Sequence, residues 1–125
     1  MHNRNNPHSA TTNTNITASS SDIPLSCFSK RGGLLAIDVC IPKDCPADGV
    51  NYWDFEFFSE GVSLGTLTGD SNDENAVSFE KNVPVRLEFE EKEVAQNGVI
   101  TLTATKNGTV ANITFMTVNC LQYYY

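Results

Sequence analysis

The chain has 125 residues, eight basic and fifteen acidic, and a formal net charge of −7. That is one domain's worth of sequence, and at 40% hydrophobic content it can enclose a core. No apolar run approaches the roughly 18 residues of a membrane span, and the acidity disfavours nucleic acid as a partner.

Residues 1–26 read as a flexible polar arm. The first 22 hold 13 Ser, Thr or Asn, and Ile16 is their only large aliphatic side chain beyond Met1. Such a segment buries too little apolar surface to offset the entropy of ordering it; its functional option is a donor segment that orders against a neighbouring subunit. The opening Met1-His-Asn-Arg-Asn-Asn-Pro also lacks the apolar stretch of a secretory signal. The folded domain is expected over 27–125, entered through a loop at 30–33.

From residue 34 onward the pattern is strand after strand. Strands are predicted over 34–41, 53–58, 62–67, 76–80, 83–89, 98–105 and 109–119. Val83, Val85, Leu87 and Phe89 alternate with polar neighbours, as do Trp53, Phe55 and Phe57 with Asp54 and Glu56. Pro84 cannot donate to a ladder and belongs on an edge or at a strand start. Turn signals fall at 46–49, 59–61, 81–82 and 106–108, the last read as a tight hairpin. Only 90–96 has a helix-like composition. About seven short strands with regular turns predict an all-β protein, a single β-sandwich of jelly-roll or immunoglobulin-like type.

The immunoglobulin order Cys…Trp…Cys is loosely present in Cys40, Trp53 and Cys120. Val118 stands where that fold has a tyrosine, and only five residues follow Cys120. Strand parity also objects. Leu35, Ile37, Val39 and Ile41 share one face, which leaves Cys40 on the other; Ile113 and Phe115 facing inward would likewise turn Cys120 outward.

Four cysteines, Cys27, Cys40, Cys45 and Cys120, favour disulfides and an oxidising location over zinc, since no histidine lies beyond His8. Among three intramolecular connectivities the preferred one is Cys27–Cys120 with Cys40–Cys45, and intermolecular bonds stay open. Three glycosylation sequons, at Asn15, Asn107 and Asn112, are compatible with secretion.

An N-terminal arm bearing Cys27, a jelly-roll-sized β domain and a terminal Cys120-x4-Tyr125 resemble bacterial endospore-appendage subunits. In that family a cysteine-bearing N-terminal connector cross-links neighbouring subunits and no signal peptide is needed, so the resemblance implies assembly. This chain lacks the family's paired connector cysteines and its glycine shortly before the final cysteine.

Residues 54–93 hold eleven carboxylates against three bases, a local net charge of −8. A solvated acidic face is the plain reading, with a basic partner or calcium as the functional ones. The loop at 69–75 is the Ca²⁺ candidate: Asp70, Asn72, Asp73 and Glu74 offer hard oxygen ligands, although Asn75 stands where an EF-hand needs glycine and Lys81 where it needs glutamate. With both histidines in the first eight residues, nucleophile–histidine schemes lack a base, and no enzyme is expected. Tyr123, Tyr124 and Tyr125 are candidate interface aromatics. The expected function is a non-enzymatic, extracellular structural or interaction module, self-assembling into a filament or surface layer through its arm and disulfides. Its protein partner would be a second copy or a surface receptor. The alternative is a lectin-like or receptor-binding module, Ca²⁺-dependent through the 69–75 loop.

Overall fold

The computed structural model describes residues 8–25, 32–94 and 99–124. Eight strands follow in chain order: β1 His8–Ile16, β2 Ser20–Leu25, β3 Gly32–Cys40, β4 Tyr52–Ser59, β5 Val62–Thr68, β6 Val85–Val94, β7 Ile100–Asn107 and β8 Ile113–Tyr124. They pair antiparallel into two four-stranded sheets, ordered β1-β8-β3-β6 and β2-β7-β4-β5. Only β4 and β5 are consecutive within one sheet; every other link crosses between sheets. This is the jelly-roll form of the β-sandwich. Laterally, β1 lies beside β2 on one flank, and β5 beside β6 on the other.

Alternation fills the space between the sheets. On β4, Trp53, Phe55 and Phe57 point inward and are fully buried. Trp53 stacks on Phe55 at 6.0 Å between centroids, and Phe55 meets Phe79 edge-on at 5.6 Å. The Trp53 indole N–H donates to the Ala111 carbonyl at 2.9 Å, so its polar atom is satisfied on entering the core. Opposite them lie Ile37, Val39, Ile113, Met116 and Val118. Each such side chain is worth about 1.5–3 kcal/mol when fully buried.

Several expectations need correction. The arm is no arm over 8–25: β1 closes one sheet against β8, and β2 closes the other against β7. Polar composition misleads there because an edge strand buries only one face, here with Ile16 and Leu25 as its anchors. Residues 76–80 are not a strand; Phe79 makes an isolated bridge to Cys45, with N···O distances of 2.7 and 2.9 Å. The helix-like stretch from 90 to 94 continues β6, held by pairing with Gly32, Gly33 and Leu34, and 95–96 lie outside the described residues. Cross-strand hydrogen bonding there overrides local propensity.

The turn at 106–108 is not a hairpin, because β7 and β8 lie in different sheets. Gly108 is nonetheless needed: its φ is +64°, and a Cβ there would sit 2.3 Å from Asn51 Oδ1 and 2.6 Å from the Val50 carbonyl. The β4–β5 connection is the true hairpin, with Glu60 and Gly61 at φ 51° and 79°, the positive pair that a type I′ turn requires.

Candidate functional site

The outer face of the second sheet gathers polar side chains in rows. Tyr52, Asp54, Glu56 and Phe58 alternate with the buried residues of β4 and so face outward. Register sets Asp54 between Thr105 and Thr68, Glu56 between Thr103 and Thr66, and Phe58 beside Thr101. The Thr68 hydroxyl donates to Asp54, and the Ser63 hydroxyl donates to Glu56 Oε2 at 2.7 Å. Burial and the carboxylates of Asp70 and Asp54 push the Tyr52 phenol above its ordinary pKa, since its ionised form would be a further anion among them.

The predicted calcium loop leads off this face and is organised as turns. Asp70 Oδ1 accepts from the Asn72 amide at 3.0 Å and from Asn72 Nδ2 at 3.2 Å. Asp73 Oδ1 accepts from the Asn75 amide at 2.8 Å, and Glu74 is exposed. These are the self-closing turns that Asp and Asn favour. Asp70 and Asp73 share a hollow of about 380 Å³ with Asp54, Thr66, Thr68 and Asn75, to which Asn72 and Glu74 do not contribute. Among the described residues no three His, Cys, Asp or Glu side chains group as a metal set. One turn further back, Asp48 Oδ1 accepts from the amides of Val50 and Asn51, each at 2.7 Å. Those bonds hold its carboxyl below the ordinary pKa.

Cys40 and Cys45 are free thiols, Cys120 forms no disulfide with either, and Cys27 lies outside the described residues. Cys40 is half-buried on the outer face of β3, as parity required. Cys45 is buried beneath the sheet and bridged to Phe79, so the expected Cys40–Cys45 bond is not made. Burial pushes the Cys45 thiol up, with Lys43 partly opposing. Cys120 is 1% exposed and points into the core, opposite Ala10 and Ile37, contrary to the outward expectation. The reason is a bulge: Thr114 and Phe115 of β8 stand opposite the single Asn15 of β1. Phe115 adopts φ 65°, is 67% exposed, and its amide donates to Asn15 Oδ1 at 2.7 Å. The extra residue reverses parity beyond it, so Met116, Val118 and Cys120 face inward. In chain order Cys27 comes after β2 and before β3, so two strands precede it.

The three sequons collect at one end of the sandwich. Asn15 lies at the bulge, one residue before the end of β1, Asn107 ends β7, and Asn112 receives Lys106 Nζ on its Oδ1 at 2.9 Å. Asn15 and Asn112 are exposed and Asn107 is half-buried. Tyr123 and Tyr124 pair through the backbone with Gly33 and Gly32 at the opposite end, and Tyr125 lies outside the described residues. No helix among the described residues is long and apolar enough to cross a membrane.

The sheet edges differ sharply in how they are protected. β6 has the sequence VRLEFEEKEV, with six charged residues. β2 carries Asp22 and Pro24 and is bulged between Ser20 and Ile23. Charge, proline and bulges are the devices that stop one edge pairing with another. The remaining edges lack charge and proline alike: β1 reads HSATTNTNI over nine residues, and β5 reads VSLGTLT over seven, bulged at Leu64 and with its Thr68 carbonyl taken by the Val77 amide at 2.9 Å. They belong to different sheets and to opposite flanks. Chain order alone gave no hint of this, because which strands are edges depends on the sheet order. No known protein family matches the chain, and no curated protein matches it.

Proposed function

We propose that this domain is a non-enzymatic structural module that works outside the cell and self-assembles by strand addition. The observation that carries the reading is the pair of edges without charge or proline, β1 and β5, on opposite flanks. An added strand satisfies the free N–H and C=O groups of an edge, which is how β-augmentation gains affinity. Pairing β1 of one copy with β5 of the next joins two different surfaces, and a head-to-tail contact of that kind propagates as a fibre unless its rotation closes a ring. Main-chain pairing therefore replaces the arm and the disulfides as the means of assembly. The three sequons at one end support an extracellular setting.

Complementation tests the reading. In reducing buffer the protein is expected to form elongated, concentration-dependent oligomers by analytical ultracentrifugation and negative-stain microscopy. Thr11→Lys on β1 and Thr66→Lys on β5 alter exposed positions and each should give monomers. Mixed together, the two variants retain one good β5 and one good β1 and should stop at a heterodimer. A monomer at millimolar concentration for the unsubstituted chain overturns the proposal, as does assembly that survives either lysine in a folded variant.

A further inference from the structure

On the outer face of the second sheet, at the end away from the sequons, lies a hollow of about 250 Å³ lined by Asp22, Phe58, Glu60, Gly61, Val99, Thr101 and Thr103. Its construction follows from the register. Phe58 and Thr101 are cross-strand partners and give a floor that is half ring and half hydroxyl. At one rim Glu60 is fixed by two contacts: its amide donates to the Val99 carbonyl and its Oε1 accepts from the Val99 amide, both at 3.1 Å. At the other rim Asp22 sits in the β2 bulge with φ 57°, in the stretch opposite Thr103 where pairing with β7 is interrupted. A bulge re-aims a side chain, here bringing a carboxylate to the hollow.

Val99 is 53% exposed and supplies an aliphatic wall. Among the described residues that line the hollow none is basic, so both carboxylates face it without an internal cation. An anionic guest is repelled, and a neutral apolar one leaves the carboxylates unanswered. A cation on a short aliphatic stem satisfies every part: stem against Phe58 and Val99, charge toward Asp22 and Glu60, and the ring face available for a cation–π contact.

We propose that this hollow is a docking site for a lysine or arginine side chain of a partner polypeptide. It is distinct from the β1 and β5 edges and does not depend on self-assembly. The volume admits one such side chain, and the acidic face around it, with Asp54 and Glu56 in the next rows of β4, favours approach of a basic segment.

The test uses the full chain labelled for amide NMR, titrated with N-acetyl-lysine methylamide, N-acetyl-arginine methylamide and the uncharged N-acetyl-norleucine methylamide. The amides of Gly61, Val99, Thr101 and Thr103 should shift with the two basic probes, about three- to tenfold more tightly than with norleucine. The preference should shrink as salt rises. Asp22→Asn with Glu60→Gln removes charge while keeping an amide oxygen for the Val99 amide and a residue that tolerates the Asp22 φ; it should erase the preference with unfolding temperature little changed. Equal binding of norleucine reduces the hollow to an apolar dent and overturns the proposal. So does butylamine binding as tightly as the lysine probe, which would assign the site to a free amine rather than a peptide. Shifts confined to other residues overturn it as well.

Discussion

Phe115 offers the sharpest test of how this chain sets its inward and outward faces. In an ordinary strand, glycine is less stable than alanine by about 0.5–1 kcal/mol, because glycine loses more backbone freedom on folding. At position 115 the order should invert. The φ of 65° is left-handed, and a Cβ there costs about 1–2 kcal/mol that glycine does not incur. Subtracting the glycine entropy leaves Phe115→Gly more stable than Phe115→Ala by about 0.5–1 kcal/mol. Both variants lose the same ring, already 67% exposed, so its packing cancels in the comparison. Urea unfolding with a shared slope would read this as a midpoint difference of about 0.3–0.7 M. Thr114, exposed and without a positive φ, serves as the control, where alanine should exceed glycine. If alanine equals or exceeds glycine at 115, the bulge does not sit there, and the inward placement of Met116, Val118 and Cys120 loses its physical basis.

Two further outcomes follow from single side chains. Asp48 has a folded-state pKa held below its unfolded one by two amide hydrogen bonds, so its stabilisation is fully present above about pH 4 and is lost as pH falls through the folded value. The unfolding temperature of Asp48→Asn should therefore lie below that of the unsubstituted chain at neutral pH, with the gap closing in acid; a gap that is constant with pH refutes the assignment. In a Cys27→Ser background, an aromatic disulfide reagent should titrate Cys40 rapidly under native conditions. Cys45 and Cys120 should react only at the rate of opening, Cys45 being further slowed by its raised pKa. Rapid loss of all three thiols at once would contradict their burial.

Much of the sandwich was legible because the strong alternations belong to strands buried on one face. Trp53, Phe55 and Phe57 needed no structure to be placed inward, and the hairpin at Glu60-Gly61 was marked by its glycine. Other features failed for physical reasons. β1 has alternation of a kind, Thr12, Thr14 and Ile16 against Thr11, Asn13 and Asn15, but hydroxyls and amides carry too little hydrophobic contrast to announce it. Its outward row is instead tied to β8 by polar contacts: the Thr11 hydroxyl donates to Asn119 Oδ1 and the Thr117 hydroxyl to Asn13 Oδ1, both at 2.9 Å. The reversal at Phe115 depends on a one-residue excess over the partner strand, which is a property of the pair and of neither strand alone.

The candidate interaction surfaces were hidden for a related reason. An uncharged run such as VSLGTLT is unremarkable in the middle of a sheet and exposed to pairing at its edge. Charge shows the same dependence on position. The carboxylates of 54–93 looked like one acidic stretch, yet the fold divides them: Glu88 lies on β6 in the first sheet, while Asp54, Glu56 and Glu60 face out from the second. Even the Arg86 guanidinium, raised in pKa by its two bonds to Asp38 at 2.8 and 3.0 Å, answers first a carboxylate of β3, and only secondarily Glu88 of its own stretch. Asp22, from a segment that composition assigns to a solvated arm, joins Glu60 instead. A site assembled in this way cannot be found by scanning for local charge, because its two anions come from β2 and from the β4–β5 turn, with the whole of β3 and β4 between them in the chain.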